Sequence, residues 1–103
     1  MTYQLTVVYH HPDDPAAFDR HYAEHHAPLA AAIPGVRSYT TSTPDPGPDG
    51  TRAEHLVAVL LFDDAEACAA GMGSETGQAA AADVPTFATG GATVMSGEVT
   101  RHV

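Results

Sequence analysis

The apolar and polar positions of this chain fall into six segments with different spacing. Thr2–Tyr9 is rich in β-branched and aromatic residues and predicts a strand. His10-His-Pro-Asp-Asp-Pro15 ends it, with Asp14 a natural N-cap and Pro15 suited to the first helical position. A helix is predicted from about Pro15 to Ala32, closed by Ile33-Pro-Gly35. Val36–Thr43 alternates and predicts a second strand, with Arg37, Tyr39 and Thr41 on one face. Pro44-Asp-Pro-Gly-Pro-Asp-Gly50 lies too close to both chain ends for an inter-domain linker, and reads as a mobile loop between two strands. His55–Phe62 is a third strand, continuously apolar instead of alternating. Asp63 and Glu66 stand at capping-box spacing before a second helix, which breaks at Gly71-Met-Gly73, restarts at Ser74 and ends near Asp83-Val-Pro85. Thr93–Val103 is the last strand, with Met95 and Val99 read as core, and Gly90-Gly91 before it is a turn.

The order β-α-β-β-α-β is the split βαβ of ferredoxin-like domains, an α+β fold on an antiparallel four-stranded sheet. Two helices cover one face of such a sheet. A third strand apolar on both faces therefore calls for a cover on the other, and a second copy of the sheet supplies it. The expected architecture is a homodimer whose facing sheets close a dimeric α+β barrel.

Length and charge narrow the partners. A chain of 103 residues fits one domain, and it buries only about two-thirds of its unfolded surface, a modest core. Thirteen carboxylates against four arginines, net charge −9, repel phosphate backbones and anionic lipid, so no nucleic acid and no membrane surface is expected. The longest apolar run, Leu56–Phe62, is too short to span a bilayer, and Met1–Tyr9 has neither a basic region nor a cleavage-like site. The single Cys68 sits among alanines and reads as structural; with no disulfide possible within the chain, a cytoplasmic location is expected.

Candidate chemistry concentrates on the first helix. At 100° per residue from Phe18, Leu29 lies at about 20°, Tyr22 at about 40° and Ile33 at about 60°, forming the core stripe. His25 and His26 fall about 50° to either side of its centre, and His21 lies at the outer edge of one shoulder. A shoulder histidine packs on apolar surface while a ring nitrogen reaches a cavity, and its ordinary pKa suits proton transfer near neutrality. From spacing alone the simpler reading is a histidine that caps the core. His21 and His25, four residues apart, suit two ligands of one metal ion, but no third ligand stands at motif spacing.

Phe18-Asp-Arg-His-Tyr-Ala-Glu-His-His-Ala-Pro-Leu29, followed by Ile33-Pro-Gly-Val36, resembles the signature of the EthD family, small dimeric α+β barrel proteins named for ethyl tert-butyl ether degradation. The family's His-x-Pro-Leu element falls on His26, Pro28 and Leu29. Ser74–Phe87 is similar to the second-helix pattern of the subgroup labelled EthD family reductase, matching at Asp83, Pro85 and Phe87, with Thr86 where Asn is expected. The resemblance covers nearly the whole chain and implies one EthD-like domain over residues 1–103. No Gly-x-Gly-x-x-Gly follows a strand, so the reductase label has no nucleotide motif behind it.

The resemblance implies an oxidoreductase- or lyase-like enzyme. It would act by proton transfer on a small, apolar, oxygenated compound, with no organic cofactor and no metal. His26 becomes the acid/base, Tyr22 its orienting or substrate-binding neighbour, and Asp83 the charged partner that fixes its tautomer. Tyr9, His25 and Phe87 are expected to line the pocket. Two alternatives stay open: a non-catalytic binder serving an oxygenase pathway, and a metal on His21 and His25.

Overall fold

A computed structural model describes residues 2–103, in the predicted order of elements. β1 spans Tyr3–His10, β2 Ser38–Ser42, β3 Glu54–Phe62 and β4 Ala92–Glu98. They form one antiparallel sheet in the order β2-β3-β1-β4. The fold is the ferredoxin-like α+β arrangement, with the helices packed on one face of the sheet.

Register decides which side chains meet the helices, because directly opposed residues share a face. Leu5 pairs with Leu60 and Ser96, Val7 with Ala58 and Val94, and Tyr9 with Leu56 and Ala92; Leu60 also pairs with Tyr39. Leu5, Tyr9, Ala58, Leu60 and Phe62 are buried against the helices. Val57, Val59 and Leu61 alternate onto the opposite face and are half-buried, so β3 is apolar on both sides as its sequence requires. Met95, read as core, pairs with Thr6 on that outer face and is 51% exposed. Val99 lies beyond the end of β4, where its N–H donates to the Thr2 carbonyl, and is 40% exposed. Both residues sit at the sheet edge, where no helix reaches them.

The first helical segment is not a regular helix. Asp14 caps α1, Pro15–His21, accepting from the Ala17 N–H at 3.1 Å. Tyr22–His26 is a π turn, in which Ala27 donates to the Tyr22 carbonyl five residues back, and α2, Ala27–Ala31, follows. Pro28 is the local cause: it has no N–H for the Glu24 carbonyl, and its ring crowds that oxygen in an α-helix. The extra residue rotates everything beyond it. Phe18, Tyr22, His26 and Ala30 therefore share the buried face, four residues apart each time, while Leu29, expected on the stripe, is only half-buried.

The second helical segment also shifts by one residue at its start. Asp64, not Asp63, caps α3, Ala65–Gly73, through the Ala67 N–H at 2.7 Å. Asp63 instead accepts two hydrogen bonds from Arg37. Ser74 ends α3 and caps α4, Glu75–Phe87, which runs two residues past Pro85, beyond the predicted end. The loop between β2 and β3 carries its own turns, Gly47 N–H to Thr51 carbonyl and Gly50 N–H to Gly47 carbonyl.

The break between α3 and α4 is packed backbone on backbone. A Cβ on Gly77 would lie 2.2 Å from the Gly71 carbonyl oxygen and 2.6 Å from the Met72 Cα. Helix propensity alone favours Gly77→Ala by about 1 kcal/mol. Against that collision we expect the substitution to destabilise the fold by about 1–3 kcal/mol, seen in urea as a lower midpoint with an unchanged slope. A stabilised variant would contradict the packing.

Candidate active site

The inward face of the sheet and the helices enclose a cavity of about 460 Å³, a size that suits a small organic molecule. Leu5, Val7, Ala30, Ile33, Leu60 and Val84 make it apolar. The ionisable side chains on its wall are Tyr9, Tyr22, Tyr39 and His26. Val94 faces the cavity from β4 yet is 61% exposed, so the mouth opens beneath that edge strand.

His26 is 5% exposed, and its two nitrogens have different surroundings. Nδ1 lies 3.0 Å from Asp83 Oδ2, a bond that crosses from the π turn to α4. A carboxylate only accepts, so Nδ1 carries the hydrogen and Nε2 of the neutral ring keeps its lone pair. That lone pair faces the Tyr9 hydroxyl, which donates over a long 3.4 Å. Burial holds His26 below its usual pKa; the hydrogen bond and charge of Asp83 act in the opposite sense, and nearby His21 adds to the lowering. The ring is thus kept neutral, a base whose free nitrogen looks into an apolar cavity.

Asp83 is held from several sides. His21 Nε2 donates to both of its oxygens, at 2.9 and 3.0 Å, and the Thr86 hydroxyl lies 3.1 Å from Oδ1. Partial burial raises its pKa, but the hydrogen bonds from His21, His26 and Thr86 outweigh this and bring it below the usual carboxylate value. Thr86, where the family pattern led us to expect Asn, still reaches the carboxylate.

The tyrosines divide their roles differently from the sequence reading. Tyr22, expected to orient His26, makes ring contact with it at 5.1 Å but turns its hydroxyl to the Tyr39 hydroxyl. Tyr9, expected only as a wall, is the phenol that meets Nε2. Burial raises the pKa of Tyr9, Tyr22 and Tyr39, so all three stay protonated and able to donate.

Two expected pocket residues lie elsewhere. His25 is exposed, rotated off the core face by the π turn, with its ring against His21 at 5.0 Å. Phe87 is buried behind the site, in ring contact with His26 at 4.9 Å and Phe18 at 5.0 Å, and belongs to the core. His21 Nε2 is engaged by Asp83, and among the described residues no cluster of three or more His, Cys, Asp or Glu side chains is placed to hold a metal. Sequence reasoning missed Tyr39 and the part His21 plays. Tyr39 was legible as alternating opposite Ser38; His21 becomes a neighbour of Asp83 only through three-dimensional packing.

Fold and site together define a ferredoxin-like domain with a histidine–aspartate pair on an apolar cavity. The EthD domain model matches residues 10–91, and the chain belongs to the EthD family. It is 40% identical over 93 residues to an uncharacterised 11.0 kDa protein from the thcB–thcC intergenic region of Rhodococcus erythropolis, covering 90% of each chain. A crystal structure of an EthD family protein from Bacillus halodurans is 34% identical, with a TM-score of 0.92 over 97% of this chain and 100% of that one. Two structures at 17% identity share the fold. A dimeric ferredoxin-like protein of unknown function from Thermobifida fusca has a TM-score of 0.72, covering 96% and 92% of the two chains. SnoaB, a cofactor-independent oxygenase from Streptomyces nogalater, has a TM-score of 0.65, covering 99% and 94%.

His26 should titrate below about 6.5 by imidazole NMR, and Asp83→Asn should move its midpoint lower still, because both contributions of the carboxylate favour the imidazolium. A midpoint unchanged by that substitution would refute the pairing. The unfolded ring takes its proton near pH 6.5 while the folded one resists. Stability from this group is therefore complete above about 6.5 and declines as pH falls towards the folded value.

Proposed function

We propose that this EthD-family chain is a small-molecule enzyme in which His26 moves a proton to or from a neutral, largely apolar, oxygenated compound held in the cavity. The observation that carries this reading is the neutral Nε2 of His26, oriented by Asp83 and facing an otherwise apolar space beside a phenol donor. A buried base in water-poor surroundings removes a weakly acidic proton most readily where the charge left on oxygen meets hydrogen-bond donors. Once Nε2 takes the proton, the Tyr9 O–H that faced it is released to such an oxygen, and the Tyr22–Tyr39 pair keeps one O–H beyond the bond between them. The proton moves from a carbon next to a carbonyl to Nε2, the C–H electron pair becomes the carbon–carbon double bond of an enolate, the carbonyl π pair moves onto oxygen, and that oxygen accepts a hydrogen bond from a tyrosine. Nothing in that step requires a further group. The structural neighbour from S. nogalater is described as a cofactor-independent oxygenase, and at 17% identity it is a guide to the fold only.

Deuterium exchange tests the chemistry without knowledge of the natural substrate. With 2-tetralone in D2O, wild-type protein should speed exchange at the α-carbon, and His26→Gln, whose amide can still donate to Asp83, should return it to background while the protein stays folded. Binding of 2-tetralone with no exchange would instead make the chain a carrier.

We further propose a homodimer, joined through the outer sheet face of Val57, Val59, Leu61 and Met95. The doubly apolar β3 supports it, as does the dimeric relative from T. fusca. Analytical ultracentrifugation at micromolar concentration should give twice the chain mass, and Val59→Glu should shift it to monomer. A wild-type monomer would overturn the proposal.

A further inference from the structure

The acid/base reading uses His26 and Asp83 but leaves unexplained why Asp83 also holds a second histidine. His21 gives its Nε2–H to both carboxylate oxygens, at 2.9 and 3.0 Å, and His26 gives its Nδ1–H to one of the same two, at 3.0 Å. One anion thus bridges a surface imidazole, 31% exposed at its side chain, and a buried one, 6% exposed. Phe87 lies against both rings, at 5.1 Å from His21 and 4.9 Å from His26, and keeps them on the two sides of Asp83. We propose that His21 is a positioning residue for His26: its hold on Asp83 fixes the carboxylate so that Nδ1 of His26 is the nitrogen engaged and Nε2 the one that faces the cavity.

The sharing has an electrostatic consequence. Charge on the His21 side of the shared carboxylate works against a second charge on His26, and so adds to what burial does to keep the inner ring neutral. The groups facing the pair are few. Asp83 and Thr86 face it from α4, Tyr9 from β1, and His25 and Tyr22 from the first helical segment, with Tyr39 of β2 reaching it through Tyr22.

The proposal rests on the acid/base reading of His26, and its test needs neither substrate nor turnover. Long-range nitrogen–proton NMR of the ligand-free protein reports tautomer and titration of each imidazole. In wild type we expect His26 in the Nδ1–H form. His21→Gln keeps an N–H for Asp83 and removes the ionisable group. It should preserve the tautomer and move the His26 midpoint up by about half a pH unit or more. His21→Ala should in addition give a mixture of tautomers. A wild-type His26 in the Nε2–H form, or a His26 tautomer and midpoint unchanged in both variants, would overturn the role of His21. Because the wild-type tautomer is one of the readouts, a variant that fails to fold does not rescue the idea. If His26→Gln exchanges 2-tetralone as fast as wild type, the acid/base reading falls on its own, whatever the NMR shows.

Discussion

The carboxylate of Asp83 is the point at which the two helical halves of the domain meet electrostatically. It reaches from α4 to the π turn and accepts from a ring that is almost fully buried. An imidazole N–H buried without an acceptor costs on the order of 1–3 kcal/mol, and a hydrogen bond to a charged group contributes about 1.5–3 kcal/mol. The site is therefore part of what holds the helices together. Phe87, one turn after Asp83, completes the joint by packing against His26, Phe18 and Tyr22. The polar bond and the aromatic cluster fix the same ring from two directions, and this leaves His26 a single orientation towards the cavity.

The cavity exists because small residues stand where large ones would fill it. Ala30, Ala58, Ala80 and Ala88 face one another across the space between sheet and helices. Tyr9 and Tyr22 are large, but they stand side by side with ring centres 5.6 Å apart at an edge-to-face angle, so their bulk builds a wall instead of a plug. Val94 of β4 lines the cavity and is 61% exposed, and the mouth at that edge strand gives a ligand a way in. A core this open in a chain of 103 residues gives up apolar burial, which is consistent with a sheet whose second face is also apolar.

The architecture was legible from the chain because each element carries its own signal: β-branched runs, the Asp14 cap, Pro15, the Ser74 restart. His26 and Asp83 entered through a resemblance, and the structure brings them within hydrogen-bonding distance. The misreadings on the first helical segment share one cause. A wheel at 100° per residue assumes a regular helix, and it moved Leu29 onto the core stripe, His26 only to its shoulder and His25 to the other. The clue to the irregularity was present as Phe18, Tyr22, His26 and Ala30, three steps of four residues each. Such a run drifts by about 120° in an ideal helix, too far for one buried face unless a turn widens. Pro28, two residues after His26, marks where it does. The exchange of roles between Tyr9 and Tyr22 was not legible, since it depends on which phenol the sheet register brings to Nε2.

The molecule carries a second buried histidine on a carboxylate, and the contrast shows what makes the first one chemical. His55 is the extra residue at the β1–β3 bulge, a device that re-aims a side chain. Its ring turns edge-on to Phe18 at 4.7 Å, and its Nε2 lies 2.8 Å from Asp19. Its other nitrogen accepts from Arg52 at 3.1 Å, so both ring positions are spent on the protein itself. Burial and an aspartate are therefore common to the two histidines, at 6% and 5% exposure. They differ in the remaining nitrogen. On His55 it ties down the end of the β2–β3 loop through Arg52; on His26 it has only a long contact to a phenol and the open space beyond. An acid or base must keep one nitrogen uncommitted, and by that criterion His26 can act on a ligand whereas His55 serves as a structural clasp.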